Sequence, residues 1–369
     1  MSSVNVALVV EGGMKKNRIF DIASARDNIL ERFCLLREKL NAEGMTCQTD
    51  DMFEPSAINV LIFNDIMSNL GAILRTIKAN PFVKLIYIPN EPSFVIPFHD
   101  TKILPKIPVD AVLTWNDLIA DKYPHIVKCN IGQPVITKDD IPNIPFDNKQ
   151  FICSIFAYKP SKAPKTLFNE RIYAVDFFCR KPAGLDLYGL AWDAPGLPFA
   201  SSSYKGPCEN KKEVQKHYKF SIAYENIEKT PGLITEKMFD CFAAGTVPVY
   251  WGAPNVKDYI PSGCFVDVND FDNYEQLYNY LISMPKGEYQ QYLHNVKDYI
   301  KTTEYSLFTS KKYAEIVANQ INVVLKKSEV ARSPVYLKLK LMQLIARHPK
   351  LLNSWKLYRQ MLIAMVMVW

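Results

Sequence analysis

From Asn5 to Trp115 short apolar runs alternate with amphipathic stretches. The runs Asn5–Val10, Ala57–Phe63, Val83–Ile88 and Asp110–Trp115 are rich in branched and aromatic residues and predict buried strands. Between them Asp27–Leu40 carries Ile29, Leu30, Phe33, Leu36 and Leu40 at helical spacing, and Met67–Lys78 reads as a second helix. Strand–helix alternation of this kind predicts an α/β fold, with a parallel sheet covered by helices on both faces. Pro134, Pro142 and Pro145 lie in a passage that keeps neither period, which places a domain boundary near residue 150. The pattern then restarts with strand Phe151–Tyr158, helix Phe168–Phe178 and strand Asp186–Tyr188. Strands Phe220–Tyr224, Val247–Trp251 and Cys264–Val268 follow, with helices opening at Thr235 and Tyr274. The expectation is two Rossmann-like lobes facing a cleft, residues 1–150 and 151–325, followed by a tail over residues 326–369.

The densest chemistry lies between Tyr218 and Phe271. Strand Phe220–Tyr224 ends in Glu225-Asn226, Thr230-Pro231-Gly232 breaks the chain, and Thr235 reads as the N-cap of a helix that stops at Gly245. A strand that delivers polar residues to a helix N-terminus is a ready anion site. Lys237 in the first turn is disfavoured by the helix dipole, so its presence argues for an anion close by; a solvated surface lysine is the plainer alternative. Glu236 suits ribose or sugar hydroxyls, or serves as a first-turn carboxylate. Tyr224 and Asn226 close the strand and are candidates to hold a nucleotide.

Three blocks here, YKFSIAYEN (218–226), ITEK (234–237) and AGTVPVYWG (244–252), fall in an order that resembles the donor-site signature of the inverting α-1,3-fucosyltransferases, glycosyltransferase family 10. The resemblance covers about Cys153–Phe271. Leu233 departs from it, standing where the family often has an aromatic residue. The resemblance implies a GT-B fold and a metal-independent, inverting transfer of L-fucose from GDP-fucose to a GlcNAc- or glucose-containing glycan. It also implies that Arg171 joins Lys237 on the diphosphate, with Arg180 and Lys181 as a second choice. An inverting displacement needs a base on the face opposite the leaving group. Glu91, in YIPNEPSF after a predicted strand, is the candidate, with His99 and Asp100 as rivals. Another GDP-linked sugar, or a non-catalytic two-lobed carbohydrate-binding protein, are the alternatives.

Composition narrows this further. The 369 residues suffice for two domains, and 48% hydrophobic with 22% charged residues is globular. Eight cysteines without paired spacing read as free thiols, suggesting a reducing compartment; the five histidines show no metal-ligand spacing. No phosphate-loop or Gly-x-Ser-x-Gly motif argues for a kinase or hydrolase. The start of the chain lacks the basic region of a secretory signal, so a cytoplasmic location is expected. From Lys326 onward nine basic residues meet one acid, a net +8 against +6 for the whole chain, which leaves −2 for the rest. Charge confined to one end suggests attachment and not a nucleic-acid groove. The tail reads as basic amphipathic helices. Its uncharged end, MLIAMVMVW, falls far short of the ~20 residues needed to span a bilayer. Peripheral contact with anionic membrane, packing on the first lobe and a homodimer seam all remain open for it.

Overall fold

The computed structural model describes residues 3–65, 70–163, 165–193, 197, 202–329 and 331. The chain forms two compact units, Met1–Gly132 together with the segment beginning at Ser310, and Gln133–Thr309.

The first unit runs β1 (Asn5–Val9), α1 (Glu31–Ala42), β2 (Thr46–Thr49), β3 (Val60–Asn64), α2 (Leu70–Ala79), β4 (Lys84–Ile88), β5 (Ala111–Thr114) and β6 (Ile126–Lys128). Its sheet has the order β2-β1-β3-β4-β5-β6, with every pair parallel. The central strands are buried along nearly their whole length because helices cover both faces. Ile73 and Ile77 of α2 pack on Leu61, Phe63 and Tyr87, while Phe33, Leu36 and Leu40 of α1 pack on Val6, Val60 and Ile62. The winding direction reverses between β1 and β3, so the switch point of this sheet lies at their carboxyl ends.

The second unit contains β7 (Gln150–Ile155), α3 (Phe168–Cys179), β8 (Asp186–Tyr188), β9 (Tyr204–Gly206), α4 (Lys211–Gln215), β10 (Tyr218–Tyr224), α5 (Glu236–Ala244), β11 (Val247–Trp251), β12 (Val266–Asp267), α6 (Tyr274–Ser283), α7 (Lys286–Tyr299) and α8 (Thr303–Ser306). Its all-parallel order, β12-β11-β10-β7-β8-β9, is the doubly wound dinucleotide-fold order with its switch point between β7 and β10. Gly245 ends α5 in the left-handed conformation (φ 64°), as a helix stop requires. The buried Lys149 ammonium donates to the Gly245 carbonyl at 2.6 Å and to the Tyr218 carbonyl at 3.3 Å, tying the end of α5 to the start of β10. Burial without a carboxylate partner lowers its pKa to about 8.

The chain then returns to the first unit as α9 (Ser310–Leu325). Tyr313, Val317 and Ile321 complete the apolar cluster around α1, and Arg32 lies 4.9 Å from the Phe33 ring and 5.6 Å from that of Tyr313. The units therefore divide at residues 132/133 and 309/310, not at the expected 150 and 325. The proline-bearing passage belongs to the second unit because Ile136 and Ile141 are buried beside Phe239 and Phe242 of α5. α9 carries an ordinary amphipathic pattern, which does not specify which sheet it covers. The short strands β2, β6 and β9 escaped the sequence reading because TCQT, IVK and YKG carry almost no period. All eight cysteines are free, and among the described residues no helix is long and apolar enough to cross a membrane. The expected tail helices lie outside the described residues.

Candidate functional site

Strand β10 ends at the switch point of the second sheet, and the next residue, Glu225, has no exposed surface at all. A carboxylate so placed needs partners, since burying it unpaired is prohibitive. Its Oε1 accepts the Thr235 backbone N–H at 2.8 Å, and its Oε2 accepts the Thr235 hydroxyl at 2.8 Å and the Lys237 ammonium at 3.2 Å. Thr235 is thus the N-cap of α5, but its hydroxyl donates to Glu225 instead of accepting a helix amide. Lys237 Nζ donates in addition to Thr235 Oγ1 at 2.8 Å and to Glu236 Oε1 at 3.4 Å.

The charges hold one another. Burial works against the Lys237 ammonium, yet Glu225 and Glu236 outweigh it and raise its pKa. Burial likewise opposes ionisation of Glu236, but Lys237 and Lys211 hold its carboxyl at about 2. Lys211 is itself 2.7 Å from Asp240 and 3.9 Å from Glu236. The anion that the first-turn lysine implied is therefore present inside the chain. Glu225 was not singled out as a site residue in the sequence, although an acid closing an otherwise apolar buried strand was the available signal. Gly252 backs this carboxylate closely: a Cβ there would stand 2.5 Å from Glu225 Cγ and 2.5 Å from the Tyr250 hydroxyl.

Arg171, in the first turn of α3, is also buried. Its Nη2 donates to the Tyr224 carbonyl at 2.5 Å and to Asn226 Oδ1 at 2.9 Å, and its guanidinium carbon lies 5.4 Å from the Phe156 ring centre and 5.2 Å from that of Phe168. Burial lowers its pKa to about 10 against the pull of Glu225 and Glu236, so it remains a cation at neutral pH. Its Nε is buried with no hydrogen-bond partner among the described residues. An unsatisfied donor on a buried cation is rare, and this one stands at the switch point of a doubly wound sheet, where the ligands of such sheets collect.

The structure thus brings together Arg171, Tyr224, Asn226, Glu236 and Lys237. Tyr224 contributes its carbonyl, since its ring is buried 5.7 Å from that of Trp251. Arg180 and Lys181 sit at the other end of α3, paired with Asp176 and Glu275, and do not join the cluster. The segment before α3 lies against the residues after β10: Thr166 bridges Ile227, and the Leu167 N–H donates to the Asn226 carbonyl at 3.0 Å. Lys159, Lys162 and Lys165, in the loop leaving β7, and Lys229 after β10 are exposed. They add exposed positive charge on the loops that flank the fixed cations, a feature that sequence reasoning passed over.

In the first unit Glu91 is half-buried in the loop after β4. His99 is buried, and its Nδ1 donates to the Glu91 carbonyl. Asp100 is a turn residue whose carboxylate accepts the Lys102 N–H at 2.9 Å. Among the described residues no group of three or more His, Cys, Asp or Glu could hold a metal ion. The acidic run at Asp267–Asp270 is engaged by Lys257, at 3.0 Å from both aspartates.

Residues 178–332 match the model of the glycosyltransferase family 10 (fucosyltransferase) C-terminal region. An alpha-(1,3)-fucosyltransferase of Helicobacter pylori is 37% identical over 91 residues, covering 24% of this chain and 17% of that protein. Alpha-(1,3)-fucosyltransferase B of Drosophila melanogaster is 43% identical over 161 residues, covering 41% of this chain and 34% of that protein. The chain therefore matches about a third or less of the length of these relatives. A crystal structure of an alpha1,3-fucosyltransferase superposes with a TM-score of 0.53 at 14% identity, over 90% of this chain and 92% of the other. One of an alpha1,3-fucosyltransferase with GDP-fucose superposes with a TM-score of 0.51 at 15% identity, over 89% of this chain and 92% of the other. The two parallel, doubly wound units are those of the GT-B class. The family resemblance seen in the sequence and the expected fold class are both borne out.

Proposed function

We propose, from the family 10 fucosyltransferase region in residues 178–332, that this chain transfers L-fucose from GDP-fucose to a hydroxyl of a GlcNAc- or glucose-containing glycan. The observation that carries the reading is the buried Arg171 with its orphaned Nε, set beside Lys237 at the switch point of the second sheet. Arg171 meets the diphosphate with a planar fork that keeps its charge at every relevant pH. Lys237 and the N-terminal end of α5 stabilise the negative charge that grows as the sugar–phosphate bond breaks. Glu236 and Asn226 hold hydroxyls of the ribose or sugar. Glu91 takes the proton of the acceptor hydroxyl as that oxygen attacks the anomeric carbon, so that one displacement inverts the centre. With fixed cations neutralising the leaving group, the reaction as read here runs without a metal. The same reading makes the basic tail a peripheral anchor on the cytoplasmic face of a membrane, supported by its nine basic residues against one acid.

A thermal-shift panel with GDP, UDP, CDP and ADP, each with and without EDTA, tests this. The expected result is stabilisation by GDP alone, unchanged by chelator, and at least about tenfold weaker GDP binding in Arg171→Lys. A response confined to UDP plus a divalent metal would overturn it.

A further inference from the structure

Two consecutive residues in the first unit, Asn90 and Glu91, have all four of their backbone polar groups held by side chains at least eight residues away in sequence. The Asn90 N–H donates to Asp65 Oδ1 at 3.0 Å, and the Glu91 N–H donates to the same oxygen at 3.4 Å. The Asn90 carbonyl accepts Trp115 Nε1–H at 3.0 Å, and the Glu91 carbonyl accepts His99 Nδ1–H. The three side chains come from three places. Asp65 directly follows β3, Trp115 directly follows β5, and His99 lies further along the segment between β4 and β5. Loop backbone ordinarily meets its hydrogen-bond needs with water or neighbouring peptide. Here it is gripped from three directions.

The grip is itself supported. Asp65 adopts a left-handed backbone (φ 43°), a conformation aspartate tolerates better than most residues. His99 is 4% exposed, and its Nε2 faces the Tyr87 hydroxyl, with Asp65 Oδ1 at 3.6 Å. A carbonyl can only accept, so Nδ1 carries the proton and Nε2 takes the Tyr87 O–H. Burial lowers the pKa of His99 against the opposing pull of Asp65, which keeps this neutral arrangement at physiological pH. Trp115 is likewise buried, with its indole N–H spent on the loop.

We infer that Asp65, His99 and Trp115 form a clamp of positioning residues, which sets the backbone of Glu91 so that its carboxylate is presented at a fixed place to the acceptor hydroxyl. The inference rests on Glu91 being the base. None of the three touches substrate; each acts through the Asn90–Glu91 backbone. A base must lie within hydrogen-bond reach of the proton it removes, and misplacing it by about 1 Å costs on the order of a hundredfold in rate.

The test compares kcat and GDP affinity in the full chain, with GDP-fucose and a GlcNAc-containing oligosaccharide. His99→Leu and Asp65→Gly are expected to lower kcat by about 10- to 100-fold, with the dissociation constant for GDP within about twofold. His99→Asn, whose amide N–H can stand in for Nδ1–H, is expected to recover most of the loss. Glu91→Gln should fall further, by about 10²- to 10⁴-fold, and His99→Leu/Glu91→Gln should be no slower than Glu91→Gln alone. Should His99→Leu fail to fold, Trp115→Phe, which keeps the ring and removes one donor, carries the same comparison. Unchanged kcat in the clamp variants beside an inactive Glu91→Gln would sink the clamp and leave the base standing. An additive double variant, or equal losses of kcat and GDP affinity, would also overturn it. Full turnover by Glu91→Gln would remove the base assignment and the clamp with it.

Discussion

The strand ends of the two units fix their functional groups by opposite means. After β10 and at the start of α5, charged side chains restrain one another: the buried Glu225 and Arg171 and the part-exposed Lys237 and Glu236 form a charge-balanced cluster. After β4, neutral donors and a single aspartate restrain backbone, and the chemically interesting side chain is steered through its own peptide groups. The difference suits the proposed tasks. A grip on a diphosphate needs permanent cations whose charge survives desolvation. A proton acceptor needs a fixed address.

That contrast is most easily broken at Glu225. Glu225→Ala leaves the buried Thr235 amide and hydroxyl without their acceptor and the part-exposed Lys237 with Glu236 as its nearest carboxylate, and is expected to cost about 2–5 kcal/mol in urea unfolding. Trp115→Phe, which removes one neutral hydrogen bond from the clamp together with part of a buried indole, should cost less, about 1–2 kcal/mol. Equal losses would mean that the two ends are not built differently.

Acid should separate them as well. His99 has a folded pKa below its ordinary 6.5, so the unfolded form binds the extra proton first and the stabilisation is lost as pH falls below about 6.5. Glu236 is held at about 2 against an ordinary 4.5, so its contribution stays intact until pH falls below about 4.5 and is gone near 2. Hydrogen exchange, corrected for intrinsic rates, should show the Asn90 and Glu91 amides losing protection on acidification before the Thr235 amide does. The reverse order would contradict the pairing described for each.

The smallest effect is expected at the exposed rim. Lys165→Ala should weaken GDP binding by less than about 1 kcal/mol, and the difference should disappear in roughly 1 M salt. A larger, salt-resistant loss would place Lys165 among the fixed cations.

Much of the second unit was legible in the sequence because its signals are local. Phe220–Tyr224 is mostly apolar, Thr235 and Gly245 bracket a helix, and Lys237 stands where the dipole disfavours it. The identity of the anion beside Lys237 was not legible, because Glu225 and Lys237 meet only once a strand and a helix pack side by side. In the first unit β1, β3, β4, β5, α1 and α2 were legible to within a few residues. Its clamp could not be read at all: Asp65, His99 and Trp115 are far apart in sequence, and backbone hydrogen bonds leave no trace in residue type. Nor could α9 be assigned to its sheet, since an apolar stripe records that something is covered but not what.

The return of α9 to the first sheet has a consequence for how the molecule is made. Residues up to 132 emerge from the ribosome before the second unit, yet the face of their sheet around α1 stays uncovered until Tyr313, Val317 and Ile321 arrive. Residues 133–309 are synthesised in between, which takes roughly ten to thirty-five seconds at ordinary translation speeds. The later-made unit is continuous in sequence and can close first. The earlier one waits with an oily surface showing, and that interval is when a chaperone has something to hold.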